Sequence, residues 1–234
     1  MINIIFDLYG TLIDIYTDEK SNSFWKKCAN KFKKYKSFSP KKLKEYYLEE
    51  CDLNSKLYEE IDLLEVFKKI FDVDNVIALK IAKDFRRLSI KKIKIFNGAY
   101  ELLNSLKKLG YNLYLLSNAQ DCLTQYELKK YKIDAFFKDI AISSNYHIKK
   151  PNLDFFKALL NKNNINEAIM IGNDYFNDII PALNLGLKTI YIETNTSRKI
   201  LNVPKIKGFN KNLILNKIKK LTSQETLESR VILF

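Results

Sequence analysis

Three observations predict an α/β fold for this chain. Short, nearly continuous apolar runs, the signature of strands buried on both faces, recur at residues 2–6, 111–116, 140–142, 168–171 and 189–192. Helical patterns separate the later runs, at residues 99–109, 153–160 and 178–185. Strands joined by helices of this size imply right-handed crossovers and a mostly parallel sheet.

Taken in order, the first strand is Ile2-Asn3-Ile4-Ile5-Phe6, stopped by the turn that contains Gly10. From about residue 18 to residue 88 the strand–helix rhythm breaks. Phe24, Trp25, Cys28, Ala29, Phe32 and Tyr35 recur at helical spacing, as do Leu63, Leu64, Phe67, Ile70 and Phe71. Ser39-Pro40 suits the N-cap and first position of a helix through Leu43 and Tyr47, and Asp74 suits the cap of another through Ile77, Ile81 and Phe85. No strand signal interrupts these helices. They predict a small helical domain at 17–88, inserted into a core made of 1–16 and 89–234. Ligands of open α/β sheets bind beyond the carboxyl ends of the strands, so the insertion is placed to act as a lid. The chain closes on a helix from Leu213 to Leu221 and a frayed end, in which no chemistry is visible.

Composition narrows the class. With 234 residues, 15 Phe and 14 Tyr the chain has ample material for a core, and only 6 Gly and 4 Pro exclude collagenous or low-complexity sequence. No apolar run approaches the roughly 18 residues that cross a bilayer, and the start lacks the features of a secretory signal. Three widely spaced cysteines, Cys28, Cys51 and Cys122, suit neither a disulfide framework nor a zinc site, and point to the cytoplasm. Forty Lys and Arg against 27 Asp and Glu give a net charge of +13. Only four of those are Arg, and the lysines are scattered, so the expectation is no nucleic-acid partner. An anionic small substrate is drawn in by the same charge.

The chemistry sits where the apolar runs end. The first ends in Asp7-Leu8-Tyr9-Gly10-Thr11-Leu12 and the second in Ser117-Asn118. Lys149-Lys150-Pro151 follows the third, and the fourth ends in Gly172-Asn173-Asp174-Tyr175-Phe176-Asn177-Asp178. On parallel neighbours these groups converge at one edge. Carboxylates and one ammonium around a pocket suit a hard divalent cation and an anionic substrate. A carboxylate serves there as a covalent nucleophile when a cation neutralises the substrate's charge.

The order hhhhDxxGTL, hhhSN, KP and GNDxxxD (h, apolar) resembles the haloacid dehalogenase-like hydrolase superfamily, and the helical insertion resembles its cap; the likeness runs to about residue 195. It implies a Rossmann-like core and a Mg²⁺-dependent phosphatase of small phosphorylated metabolites. By the same resemblance Asp7 is the nucleophile that forms an aspartyl intermediate. Ser117 and the backbone N–H of Asn118 bind the transferred phosphoryl oxygens, and Lys150 neutralises charge, with Lys149 the lesser choice. Thr11 shapes the turn and lies at the substrate. Asp7, the carbonyl of Tyr9, Asn173, Asp174 and Asp178 belong to the metal site. The pattern departs from the family twice. Most of its phosphatases carry a second Asp, the general acid, where Tyr9 stands, and a phenol with a pKa near 10 is a poorer donor at neutral pH. An Asp also usually occupies the position of Asn173, whose amide oxygen still suits a metal, with Asp174 at hand to supply charge.

Other readings stand beside this one. The D-x-Y-G-T-L form also resembles the metal-free 2-haloacid dehalogenases, but their early cap Arg has no counterpart before Arg86. A third reading is a binding protein of weak catalysis, kept alive by Tyr9 and Asn173. Asp7 alone reads as a strand-ending turn residue, Ser117-Asn118 as a helix cap, and Asp174 and Asp178 as charges at a helix start. Arg86-Arg87 reads either as complement to a helix C-terminus or as a phosphate contact at the hinge. His147, the sole histidine, reads as a surface or packing residue. The expected chain is a monomer or homodimer.

Overall fold

In the computed structural model β1, Asn3–Phe6, lies inside a six-stranded sheet, with β4 (Asn112–Ser117) and β6 (Ala168–Gly172) as its parallel neighbours. The structure describes the backbone of residues 2–57 and 59–231, and side chains of these as far as residue 223. The sheet order is β5-β4-β1-β6-β7-β8, where β5 is Asp139–Ile142, β7 Lys188–Glu193 and β8 Ile206–Lys207. Every pairing in it is parallel. The α/β expectation therefore holds, and each of the five apolar runs is a strand. Ile4, Ile5 and Phe6 are fully buried because both faces are covered. Ile4 and Phe6 pack into a cluster with Leu102, Leu106 and Ile214, while Ile5 faces Phe155, Leu159 and Met170 on the other side. That alternation is the period of two of a strand.

α5 (Ala99–Lys108), α6 (Asp121–Lys130), α7 (Leu153–Lys162), α8 (Ile180–Asn184) and α9 (Lys211–Val231) accompany the strands. The last helix starts close to its expected place and runs on past Leu221. Of the frayed end, residues 232–234 lie outside the described residues. The helix expected over 178–185 is instead a π-helical turn, Tyr175–Ile179, that passes into α8. Pro181 in the first turn of α8 is tolerated because its missing N–H is one that a helix start leaves unpaired.

The inserted stretch is four helices: α1 (Asn22–Phe32), α2 (Pro40–Leu57), α3 (Leu63–Phe71) and α4 (Asn75–Ser89). The expected caps are in place, with Ser39 Oγ accepting from Lys42 N at 3.2 Å and Asp74 Oδ1 from Ile77 N at 2.9 Å. Phe24, Trp25, Phe67 and Phe85 meet in a separate apolar cluster, mostly edge to face. A two-stranded antiparallel ribbon joins this bundle to the sheet: β2 (Ile13–Thr17) leads out and β3 (Ile90–Ile95) leads back. Neither of these strands was expected, nor was β8. Among the described residues no helix is long and apolar enough to cross a membrane.

Candidate active site

Strand pairing assembles most of the site. Asp7 follows β1, and its N–H donates to the Ile171 carbonyl at 2.9 Å. Ser117 closes β4 and Asn173 follows β6. Because β4 and β6 flank β1 in parallel register, all three come to one edge. Asn118 brings in the fourth member. Its Nδ2 donates to the Lys150 carbonyl and its Oδ1 accepts from Lys150 N, both at 2.8 Å, which holds the loop after β5 against the end of β4. The side chain of Asn118 is thus the anchor of Lys150, a task not foreseen in the motif.

Lys150 Nζ donates to Asp7 Oδ1 at 2.8 Å, to Asp178 Oδ1 at 2.6 Å and to the Leu116 carbonyl at 2.9 Å. Its side chain is 2% exposed and that of Asp178 is 1% exposed. Burial alone would release the ammonium proton, yet Asp178 and Asp7 outweigh it and hold Lys150 above the ordinary lysine range. Burial also pushes Asp178 up, to about 7, against the pull of Lys150. A buried cation between two carboxylates leaves one negative charge in the pocket, which a metal cation would offset.

Thr11 is fully buried. Its Oγ1 donates to Asp7 Oδ2 at 2.9 Å and lies 3.1 Å from Asn173. It orients the Asp7 carboxylate. Gly10, at φ +87, makes the turn between them possible, since a Cβ there would collide with Asn173 and Thr196. Ser117 is the opposite case. It is 1% exposed and its Oγ has no hydrogen-bond partner. A buried hydroxyl of that kind is costly and calls for a ligand atom to accept from it.

The putting-together of Asn173 tests the metal expectation. Only its hydrogen bonds tell the two ends of the amide apart. With nitrogen inward, the amide donates to the Tyr9 carbonyl at 3.1 Å and to Asp7 Oδ2 at 3.3 Å, and its oxygen accepts from Thr196 Oγ1 at 3.0 Å. With oxygen inward, a carboxylate, a main-chain carbonyl and an amide oxygen face one another, with the Thr11 hydroxyl as the one donor beside them among the described residues. A hard cation satisfies such a trio, and Mg²⁺ is commonly held by one or two carboxylates with phosphate oxygens and water completing the shell. The donor set of Asp7, the Tyr9 carbonyl and Asn173 therefore fits Mg²⁺. No group of three His, Cys, Asp or Glu side chains suited to a metal occurs among the described residues.

Asp174 and Asp178 are both tied to donors of the protein. Asp174 caps the π-helical turn, accepting from Phe176 N at 3.0 Å, Asn177 N at 3.1 Å and Asn177 Nδ2 at 2.8 Å. Asp178 holds Lys150 and accepts from Asp174 N at 2.9 Å. Gly172 is required beside it, because a Cβ there would strike the Asp178 carboxylate.

Tyr9, one candidate proton donor beside a residue of the helical insertion, turns its hydroxyl toward α6. Its hydroxyl donates to Glu127 Oε2 at 2.5 Å and lies 3.2 Å from Thr124 Oγ1, both on α6. Burial and then the Glu127 carboxylate drive its pKa well above the ordinary phenol value, so it holds its proton. Arg86, at the end of α4, grips the same Glu127 through Nε at 2.9 Å and Nη2 at 3.2 Å, with its guanidinium 5.3 Å from the Tyr9 ring centre. Arg86 sits in the last turn of α4, as expected of a helix-end charge, with its guanidinium engaged by Glu127, and Arg87 pairs with Asp84. Nearby, Gln120 accepts from Leu63 N at 2.9 Å and donates to the Ile61 carbonyl at 2.7 Å, and Ser143 donates to the buried Glu60 at 2.6 Å. Glu60 N in turn donates to the His147 carbonyl at 3.3 Å. Glu127, Thr124 and Gln120 were missed in the sequence. Gln120 caps the start of α6, and Thr124 and Glu127 follow it at helical spacing shortly after Ser117-Asn118; that polar stripe was the available signal.

A cavity of about 400 Å³ opens beside Tyr9 and Asn118, walled also by Ile15, Tyr16, Arg86 and Leu123.

The sequence profile of the family described as haloacid dehalogenase-like hydrolase matches residues 4–192. A glyceraldehyde 3-phosphate phosphatase of Pyrococcus abyssi is 33% identical over 98 residues, 41% of either chain, so the match spans about two-fifths of that relative. A crystal structure of a HAD phosphatase from Thermococcus onnurineus superimposes with a TM-score of 0.65 at 19% identity, covering 95% of this chain and 98% of that one. A 2-haloacid dehalogenase from Pseudomonas syringae superimposes at 0.67 with 16% identity, covering 94% and 100%. At these identities the two structures establish a shared fold.

Proposed function

The chain belongs to the haloacid dehalogenase-like hydrolase family, and from that premise we propose that it is a Mg²⁺-dependent phosphatase of a small phosphorylated metabolite, working through an aspartyl-phosphate at Asp7. The observation that carries this reading is the buried Ser117 hydroxyl without a partner, beside a carboxylate held by Lys150 and Thr11. A phosphoryl oxygen is the acceptor such a hydroxyl lacks. The phosphatase name of the Pyrococcus relative supports the same class of reaction. Residues 17–88 act as the cap in this reading, tied down by Arg86–Glu127 at the hinge and by Glu60–Ser143 at the far side. The free thiols of Cys28, Cys51 and Cys122 suit the cytoplasm.

In the mechanism, Asp7 presents the oxygen that attacks phosphorus, and Thr11 fixes the direction of that attack. Lys150 neutralises the growing charge while Asp178 keeps it protonated and aimed. Ser117 donates to a phosphoryl oxygen as it develops charge. Asp7, the Tyr9 carbonyl and Asn173 would hold Mg²⁺, which when bound supplies Lewis-acid stabilisation of the phosphoryl group. A water then releases phosphate and restores the carboxylate.

One observation favours a second reading, a metal-free dehalogenase. With its amide nitrogen inward Asn173 satisfies Asp7 and the Tyr9 carbonyl without a cation. Against it, the guanidinium of Arg86 is already neutralised by Glu127 and makes a poor halide cradle. Hydrolysis of 4-nitrophenyl phosphate by wild type and by Asp7→Asn, each with Mg²⁺ and with EDTA, separates the two. Activity that needs both Asp7 and the metal is expected. Halide release from 2-chloropropionate that persists in EDTA would replace this reading with the second.

A further inference from the structure

We infer that the substrate is a phosphate whose leaving group departs as its own anion, an aryl, enol or acyl phosphate, because among the described residues the leaving-group side of the site holds no carboxyl or imidazole proton donor. The inference rests on the phosphatase reading above and names its substrate class. The cavity beside Tyr9 and Asn118 is where a leaving group has room, and none of the ten residues that line it is Asp, Glu or His. Its phenol nearest the nucleophile, Tyr9, spends its hydroxyl proton on Glu127 at 2.5 Å and faces α6. Glu127 is no substitute acid, since its two oxygens already accept from Tyr9 and from Arg86 twice over. Arg86 itself does not give up a proton in any useful pH range. Asp178 is turned to Lys150 and the Asp174 N–H. Beside the polar Thr17, Arg86, Asn118, Gln120 and Thr124, the walls offer an aromatic and apolar surface in Tyr9, Tyr16, Ile15 and Leu123 against which a ring can pack.

The step balances without an acid. An Asp7 oxygen forms the bond to phosphorus, the bond from phosphorus to the leaving oxygen breaks, and that oxygen keeps the electron pair as an enolate, phenolate or carboxylate. An acidic leaving group carries that pair readily, whereas an alkoxide needs a proton that no carboxyl or imidazole of the lining supplies, and a phenol such as that of Tyr16 is a poor donor at neutral pH. Water then attacks the aspartyl-phosphate, Asp7 departs as carboxylate, and the proton leaves with inorganic phosphate or to solvent. The alkyl phosphate in the name of the Pyrococcus relative therefore does not transfer to this chain.

The test is kcat/KM for acetyl, 4-nitrophenyl, phenyl and glycerol 3-phosphates, in order of rising leaving-group pKa, on wild type, Asp7→Asn and Tyr9→Phe. A well-placed general acid contributes roughly 10²–10⁴-fold, so a fall of that size is expected between the 4-nitrophenyl and the glycerol ester. The same fall is expected in Tyr9→Phe, and the solvent deuterium isotope effect on wild-type kcat/KM should be near unity. Rates that stay level across the series, an isotope effect of about two or more, or selective loss of glycerol 3-phosphate turnover in Tyr9→Phe would each overturn the inference. The isotope effect keeps the test intact should Tyr9→Phe fail to fold. Turnover that survives Asp7→Asn, or none on any ester, would instead sink the phosphatase reading itself.

Discussion

Replacing Ser117 with alanine should make the protein more stable and far less active, and both numbers follow from one atom. Ser117 Oγ is buried in the structure and has no hydrogen-bond partner. A buried polar group left unsatisfied costs about 1–3 kcal/mol, and an alanine removes that cost while giving up only the small volume of the oxygen. Taking the lower end, the folded state gains about 1 kcal/mol, which for a chain of this length raises Tm by roughly 2–4 °C. In turnover the same oxygen is a donor aimed at a developing phosphoryl charge. Losing one such donor costs about 10²–10³-fold in kcat, with KM moving much less. The assay pairs a thermal scan of ligand-free protein with 4-nitrophenyl phosphate kinetics. Inorganic phosphate adds a third reading, because it should raise the Tm of wild type more than that of the variant. A Ser117→Ala protein that melts lower than wild type, or turns over within about twofold of it, would refute the reasoning, since the hydroxyl would then have a structural partner or no catalytic one.

Other consequences can be checked in the same way. Arg86→Ala leaves the Glu127 carboxylate, 5% exposed, with only the Tyr9 and Thr124 side of its network; breaking a buried pair costs about 3 kcal/mol or more, a Tm lower by roughly 6–12 °C. Adding Glu127→Gln should recover part of that loss, and an additive double mutant would count against the ion pair. Asn173→Asp places a second carboxylate at the three-oxygen face, so Mn²⁺ affinity measured by electron paramagnetic resonance should tighten about tenfold or more; unchanged affinity would remove Asn173 from the metal site. Lys150 and Tyr9 are both held protonated above their ordinary ranges, Lys150 by Asp178 and Asp7 despite burial and Tyr9 by burial and Glu127. Raised values keep the protonated forms at higher pH, so kcat/KM at low Mg²⁺ should stay level from about pH 8 to about pH 10.5, where ordinary Tyr and Lys side chains titrate. An alkaline limb near pH 10 in a protein still folded by circular dichroism would contradict that assignment.

Much of this arrangement was legible in the residues themselves. A run such as Ile4-Ile5-Phe6 is buried on both faces only in a strand covered on both sides, so the parallel sheet and the convergence of Asp7, Ser117 and Asn173 at its edge follow from local pattern. The helix caps at Ser39 and Asp74 are likewise local, formed between residues three apart. The β2–β3 ribbon was not legible, because Ile13–Thr17 and Ile90–Ile95 are half-exposed strands that become a pair only once the chain returns from α4. The direction of each polar side chain was equally hidden. Whether Asp178 faces a cation or Lys150, and whether Tyr9 faces a leaving group or Glu127, depends on which partner lies within about 3 Å, across separations in sequence of 28 and 118 residues. The sequence by itself determined which elements form and which chemical groups their ends carry, since backbone periodicity and capping act over a few residues. Tertiary structure alone decided the partner of each group, because hydrogen bonds and ion pairs are short-ranged and only packing brings α6, α4 and the sheet edge within that range.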